Sequence, residues 1–202
     1  MKHIFKITCA AAVLAAGRVH AHAFESGADQ YAQFTEGAGV VFTYPSTLLP
    51  LMALGILLSL WHSEGMVKAW PYFLAGQIVG LFTAAVVGIW ILNAMLAFGI
   101  LLGALAALLG KYNQNIMLGL AGLTGLISLS LSLEGHRLFE LPIFIYVGIL
   151  FGTNIVVACA AGLVRYVMER YQAEWVRITC RVAGSWIAAM LMLILAFNLS
   201  AG

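Results

Sequence analysis

Histidine and carboxylate side chains are the groups in this sequence that could bind a metal ion, and few of them stand close together. The segment EGHRLFELP holds His136 between Glu134 and Glu140. Imidazole nitrogens and carboxylate oxygens are ligands for divalent transition metals. His22 is a further candidate, since cleavage just before it would let its free amine and its ring nitrogen chelate a metal together. We therefore predict a metal-capture site made of His22, His136 and Glu140; the alternative is an ordinary solvated loop around His136.

Catalytic groups are harder to find. The sequence has no HExxH motif, no glycine-rich phosphate loop and no recognisable pair of a nucleophile and its base. Its three cysteines, Cys9, Cys159 and Cys180, lie far apart along the chain, which excludes a CxxC metal site and a disulfide framework. We predict that the protein is not an enzyme and that any nickel, cobalt or copper it binds is transient cargo.

The composition is typical of a membrane protein. Hydrophobic residues make up 63% of the chain of 202 and charged residues only 9%, with a mean hydropathy of +1.00. A soluble domain carries charge on about a quarter of its residues. The net charge of +2 and the absence of a basic run argue against nucleic acid as a partner. The lipid bilayer is the predicted partner, and the predicted fold is an all-α, polytopic bundle of transmembrane helices.

The first 23 residues are typical of a secretory signal peptide. Lys2 and Lys6 form a positively charged start, and the apolar stretch that follows is too short to cross a bilayer. Two cleavage sites of the small-x-small type end the segment. We predict a signal peptide over residues 1–23 and a single transmembrane domain over residues 24–202, starting outside the cytoplasm. The alternative is a short anchor that is not cleaved.

Six stretches meet or nearly meet the length of about 20 apolar residues that a membrane-spanning helix needs. They are approximately residues 40–61, 69–89, 93–110, 116–133, 143–163 and 182–199. Because only three residues separate the second stretch from the third, an alternative merges part of that pair into a re-entrant hairpin. Pro45 and Pro50, at the start of the first stretch, are predicted to kink or break its helix.

The positive charges of the loops give an orientation. With the start of the domain outside, the outer loops contain only Arg137, and the inner loops hold Lys68, Lys111, Arg165, Arg170, Arg177 and Arg181. Because cytoplasmic loops are enriched in lysine and arginine, we predict that both termini lie outside. Residues 164–181 are predicted to form a helical extension at the membrane surface, with a partner-docking loop as the alternative.

Ionisable side chains are absent from the centres of all six predicted spans. Because such groups mark proton relays and ion pathways, this weighs against a proton-coupled pump or a carboxylate-lined channel. The polar groups in the spans are amides and hydroxyls, which usually hydrogen-bond neighbouring helices. Thr153 and Asn154, in the middle of the fifth span, are the candidate interior polar site. G-x-x-x-G motifs at residues 76–80, 99–103 and 148–152 predict close helix packing.

Several segments resemble the HupE/UreJ family of small membrane proteins, and the likeness covers most of the chain after residue 23. They are MALGILLSLW in the first span, EGHRLFELP followed by IFIYVGILFGTN, and RVAGSWIAAML at the start of the last span. The strongest local match is Glu140-Leu141-Pro142 followed by Tyr146, Gly148 and Thr153. The resemblance implies a multi-pass protein of the bacterial inner membrane. Members of the family are regarded as nickel or cobalt permeases associated with hydrogenase or urease maturation.

The sequence departs from this family in its metal ligands. The family's first span carries a histidine followed by Asp-His, whereas VVFTYPSTLLPLMALG here contains neither residue type, and Val157 stands where the family often has histidine. Two functions remain open. The first is transport of a divalent metal, captured by Glu140, His136 and His22, with amides such as Asn154 inside. The alternative is a non-transporting accessory subunit that packs against a membrane protein complex or a metalloenzyme maturation partner.

Overall fold

The computed structural model describes residues 29–88, 90–108, 112–137 and 139–200, and within these ranges the chain is entirely helical, without β-strands. The described helices are α1 (Gln30–Thr43), α2 (Pro45–Trp61), α3 (Gly65–Thr83), α4 (Trp90–Leu108), α5 (Gln114–Ser132), α6 (Ile143–Tyr171) and α7 (Glu174–Ser200). The predicted all-α helical bundle is therefore confirmed. The predicted signal peptide and His22 lie outside the described residues.

Four helices, α4 to α7, are long and apolar enough to cross a membrane, and the bent pair of α1 and α2 makes a fifth if it counts as one span. The chain is thus a multi-pass membrane protein. The predicted second span differs from the structure. Helix α3 has 19 residues, but it is not apolar enough to count among the spanning helices, because Lys68 and Gln77 lie within it. It ends at Thr83, and the chain turns before α4 begins, so α3 and α4 are separate helices. Poor helix formers, Val86-Val87-Gly88, occupy that turn.

The break between α1 and α2 lies at Tyr44, where the two helices meet at 75°. Tyr44 has an extended backbone (φ −96°, ψ 111°). The ring of the following Pro45 disfavours a helical conformation at the residue before it, while its own fixed φ suits the first position of a new helix. The predicted break is confirmed at Pro45. Pro50 lies within α2 and is buried.

Helix α2 forms the centre of the bundle and contacts each of the other six helices. Its apolar side chains are buried around its circumference, including Leu51, Leu54, Leu57 and Leu58. A helix that is hydrophobic on all sides is stable only when it is surrounded, here by other helices. The remaining helices each present one side to α2 or its neighbours and the other to the exterior.

Helices α3 and α5 pack with their backbones in direct contact. A Cβ atom added at Gly76 would collide with the carbonyl oxygen of Gly122, and one added at Gly125 would collide with that of Phe73. Gly80 lies against Leu126 in the same way. Small residues permit such close approach, which increases the dispersion attraction between helices in a membrane. Since Gly76 faces Gly122 and Gly80 faces Leu126, the two helices run parallel.

Two further helix pairs use glycine in the same manner. Gly148 of α6 lies against the carbonyl oxygen of Phe34 in α1, and Gly152 lies against Ala38. Gly103 of α4 lies against the carbonyl oxygen of Gly184 in α7. The three predicted G-x-x-x-G motifs therefore all lie in helix interfaces, and the predicted compact packing is confirmed.

The loops and helix ends sort into two opposite faces of the bundle. At one face the indole of Trp61 donates to the carbonyl of Tyr112 (3.1 Å). At the other face the amide of Asn198 donates to Asn93 at 2.6 Å, joining the end of α7 to the start of α4. Helices α4 and α7 are therefore antiparallel, in contrast to the parallel α3 and α5.

Candidate functional site

A chain of hydrogen bonds between polar side chains connects α3 to α6 in the middle of the bundle. The Gln77 amide donates to the Thr153 hydroxyl (Nε2 to Oγ1, 2.7 Å). The Asn154 amide donates to Gln77 (Nδ2 to Oε1, 2.9 Å), and its own oxygen accepts from the indole of Trp70 (2.9 Å). The sequence singled out Thr153 and Asn154; the structure adds Gln77 and Trp70 from another helix. We call these four residues the polar network.

The polar network is buried at its core and fully paired. Gln77 and Thr153 have no exposed surface, whereas Asn154 is half-buried and Trp70 lies at the bundle surface. The Thr153 hydroxyl donates to the Ile149 carbonyl (2.9 Å), so its lone pairs remain available to Gln77. Across the described residues, every buried polar side-chain atom has a hydrogen-bond partner. A paired amide avoids the cost of several kcal/mol that an unpaired one carries in hydrocarbon.

The chemistry of the polar network is that of neutral donors and acceptors. An amide, a hydroxyl and an indole do not gain or lose protons near neutral pH, so the network cannot relay protons by acid–base chemistry. It can hold two helices in one register, because both ends of the Gln77 amide bond side chains of α6, and both ends of the Asn154 amide bond side chains of α3. The geometry of the polar network therefore favours a structural role, in which it joins α3 to α6.

A second set of hydroxyls joins α3 to α5. Thr83 and Ser130 hydrogen-bond each other (Oγ1 to Oγ, 2.9 Å), and Ser130 also donates to the carbonyl of Gly80 (3.1 Å). Ser128 and Ser132 instead bond carbonyls of their own helix. Thr83 and Ser130, like the polar network, therefore connect two helices, whereas Ser128 and Ser132 bond within α5.

Side chains from elsewhere in the chain cap the end of α4. The Arg181 side chain of α7 donates from Nε to the carbonyl of Ala107 (2.8 Å), and the Tyr112 hydroxyl donates to the carbonyl of Leu105 (2.8 Å). The last carbonyls of a helix have no partner within that helix. The sequence did not reveal these two caps, because both acceptors are backbone carbonyls, and that of Arg181 lies 74 positions away along the chain.

The predicted metal ligands His136 and Glu140 lie in the loop between α5 and α6. The Glu140 carboxylate accepts from the backbone N–H of Arg137 (Oε2, 2.7 Å), and the Glu140 N–H donates to the Arg137 carbonyl (3.1 Å). His136 lies near the Glu134 carbonyl (Nδ1 to O, 3.2 Å). Gly135 (φ 83°) and Phe139 (φ 61°) provide the left-handed conformations with which this loop turns. Glu140 therefore shapes the loop as well as carrying a charge.

His136 and Arg137 border a shallow depression at this end of the bundle. Tyr146 of α6 and four apolar residues complete its walls: Leu81, Ala84, Ala85 and Leu133. The depression is too narrow to enclose a water molecule. Among the residues that the structure describes, no three histidine, cysteine or carboxylate side chains come close enough to hold a metal ion together. The metal role of His22, His136 and Glu140 stays a prediction.

Glu134, at the start of the same loop, provides a test of how this loop responds to pH. Partial burial raises the pKa of its carboxyl, because desolvation disfavours the charged form. A group with a raised pKa in the folded state favours folding below its unfolded pKa, and that contribution is lost as pH rises through the folded pKa.

We therefore expect Glu134 to contribute progressively less to the thermal stability of the purified protein as pH rises above the ordinary carboxyl value of 4.5. Glu134→Gln cannot ionise, so it should lose less stability over the same range. Thermal unfolding in detergent, followed by intrinsic fluorescence from about pH 4 to about pH 8, measures both. An equal loss of thermal stability in the wild type and in Glu134→Gln would contradict a raised pKa at Glu134.

Comparisons of this chain with protein-family models, with curated proteins and with solved structures found no match.

Proposed function

We propose that this chain is an accessory subunit of the bacterial inner membrane, a helical bundle that packs against a larger membrane protein complex without transporting a solute. The observation that carries the proposal is the pairing within the polar network. Gln77, Thr153 and Asn154 are the polar groups best placed to line a path through the bundle, and they bond one another and backbone carbonyls.

The polar network lacks the free ligands that a path for metal ions would need, which supports this proposal. A dication that has left water needs several oxygen or nitrogen ligands. To provide them here, Gln77 and Asn154 would have to break hydrogen bonds of 2.9 Å or shorter. The glycine contacts between α3 and α5 bring the two backbones together, which leaves little width for an ion beside the network.

The proposed topology has six crossings, with α1 and α2 forming the first and α3 the second. It places the ends after α2, α4 and α6 on one side, together with Lys68, Lys111, Arg165, Arg170, Arg177 and Arg181, and leaves Arg137 on the other. The positive-inside rule then puts the first side in the cytoplasm and both chain termini in the periplasm. The parallel course of α3 and α5 supports α3 as a crossing, since helices two apart in a serpentine chain run the same way.

Affinity purification of the tagged protein in mild detergent tests the proposal. We expect a larger membrane complex to co-purify in fixed proportion, and we expect cellular nickel, cobalt and copper to be the same with and without the protein. Metal accumulation that depends on the protein would overturn the accessory role.

Divalent-metal transport is the second candidate, because the chain resembles the HupE/UreJ family and keeps His136 and Glu140 in one outer loop. In that case His136→Ala and Glu140→Gln would each reduce accumulation of nickel or cobalt. The same substitutions would leave co-purification with a complex unchanged if the accessory role is correct. The two proposals therefore predict different outcomes for one pair of variants.

A further inference from the structure

The segment that joins α6 to α7, residues 164–181, forms a bent and positively charged end of the bundle, which we call the elbow. It carries four arginines and two glutamates. Helix α6 ends at Tyr171, and α7 begins at Glu174. Gln172 adopts the left-handed conformation (φ 42°), which reverses the chain within this short connection.

The lengths of the two helices place the elbow at the membrane surface. Helix α6 has 29 residues and α7 has 27, which correspond to about 44 Å and about 40 Å. The hydrocarbon core is about 30 Å thick. Since the opposite ends of both helices are apolar, with Ile143 and Leu199 exposed, the excess length lies at the elbow. Its residues therefore extend into the layer of lipid headgroups.

Two of the four arginines already have partners within the protein. Arg165 pairs with Glu169 (Nε to Oε1, 2.6 Å), and Arg181 caps the end of α4. Arg170 and Arg177 are exposed, and neither takes part in an ion pair with any residue that the structure describes. They stand on either side of the turn, one in the last turn of α6 and one in the first turn of α7.

Aromatic side chains accompany these two arginines. Tyr171 and Trp175 are 58% and 59% exposed, and their ring centroids lie 6.1 Å apart at a tilted angle. Tyr166 is exposed one turn further into α6. Tyrosine and tryptophan prefer the boundary between hydrocarbon and headgroups, where the ring is shielded and the polar tip is hydrated. They fix the depth of the elbow, and so hold Arg170 and Arg177 near the lipid phosphates.

We propose that the elbow binds the headgroup of an anionic phospholipid through Arg170 and Arg177. A guanidinium group donates paired hydrogen bonds to phosphate oxygens, and basic residues next to membrane helices attract anionic lipids. The acyl chains would lie along the exposed apolar surfaces of α6 and α7, which include Leu163, Ile178 and Val182. An acidic protein partner would satisfy the charge but not these apolar surfaces. The inference does not depend on which function or orientation is correct.

Native mass spectrometry of the purified protein, exchanged into micelles that contain phosphatidylcholine and phosphatidylglycerol, tests this site. We expect the wild type to retain phosphatidylglycerol selectively. The double variant Arg170→Gln with Arg177→Gln should retain about tenfold less. The matched control is Arg137→Gln at the opposite end of the bundle, which should retain as much as the wild type. An excess of inorganic phosphate should not displace the lipid, because phosphate lacks acyl chains.

Four other outcomes would count against the proposal. Equal retention by the double variant and the wild type would overturn it, as would an equal loss in Arg137→Gln. Displacement by inorganic phosphate would show a plain anion site instead. Loss of a co-purifying acidic protein, with lipid retention unchanged, would assign the elbow to a protein partner. Thermal unfolding in phosphatidylcholine alone checks that the double variant is folded, and both glutamines should be tolerated because both positions are exposed.

Discussion

Replacing Gly76 by alanine should lower the thermal unfolding temperature of the purified protein by about 5 °C or more. The added Cβ atom would collide with the carbonyl oxygen of Gly122 in α5. That oxygen belongs to the backbone, so it can yield only if the two helices separate along their interface. Alanine is otherwise the better helix former by about 1 kcal/mol, and the expected loss therefore runs against helix propensity.

Gly119→Ala is the matched control. Gly119 lies in α5, on the partner helix, and a Cβ atom built there has no heavy atom within 4 Å. We expect this variant to unfold at the same temperature as the wild type or slightly above it. Both proteins can be compared in one detergent by scanning fluorimetry. If Gly76→Ala were as stable as Gly119→Ala, the backbones of α3 and α5 would not be in contact.

Asn154→Leu should destabilise the protein by about 1–3 kcal/mol, the second large effect that we expect. The substitution leaves the Gln77 oxygen without the donor it has at 2.9 Å, and it leaves the Trp70 indole without its acceptor. Gln77 is fully buried, so water cannot replace the lost partner. A buried polar group left unpaired costs more than the net gain of the original bond.

A double-mutant cycle separates this loss from a simple change of packing. Gln77→Met removes the amide that Asn154→Leu leaves unpaired, so the double variant should be more stable than the sum of the two single losses predicts. Hydrogen bonds between membrane helices have a coupling free energy of about 0.6 kcal/mol on average. Because both ends of the Gln77 amide are paired, we expect the coupling between Gln77 and Asn154 to be at or above that value. The free energy of unfolding, measured by denaturant titration in mixed micelles, provides the coupling. Strict additivity would show that the polar network does not join α3 to α6.

The sequence was most informative about features that depend on neighbouring residues in the chain. Apolar length predicted the helical bundle, and Pro45 predicted the break in the first span, since proline restricts the residue before it. The glycine spacing at 76–80 predicted a close interface because both glycines lie on one face of the helix. Each of these predictions follows from local geometry.

Features that depend on pairing between distant segments could not be predicted. The sequence offered Asn154 as a polar candidate, but nothing in it indicated that Gln77, 77 positions earlier, would be its partner. Likewise, Arg181 was predicted to lie in a helical extension at the membrane surface, but nothing in the sequence indicated that its side chain would cap the end of α4. The early end of α3 at Thr83 was missed because hydropathy continues through the apolar residues of the following turn.

The three glycine pairs also bear on how the protein is assembled during synthesis. They join α1 to α6, α3 to α5, and α4 to α7, so every pair connects the part of the chain before the α4–α5 loop to the part after it. None of these three pairs lies within one part. The ribosome must deliver α5 before any of these three contacts can close. Each part of the chain therefore supplies one helix of every glycine pair. We expect a chain cut at that loop to form the bundle only when both pieces are made together.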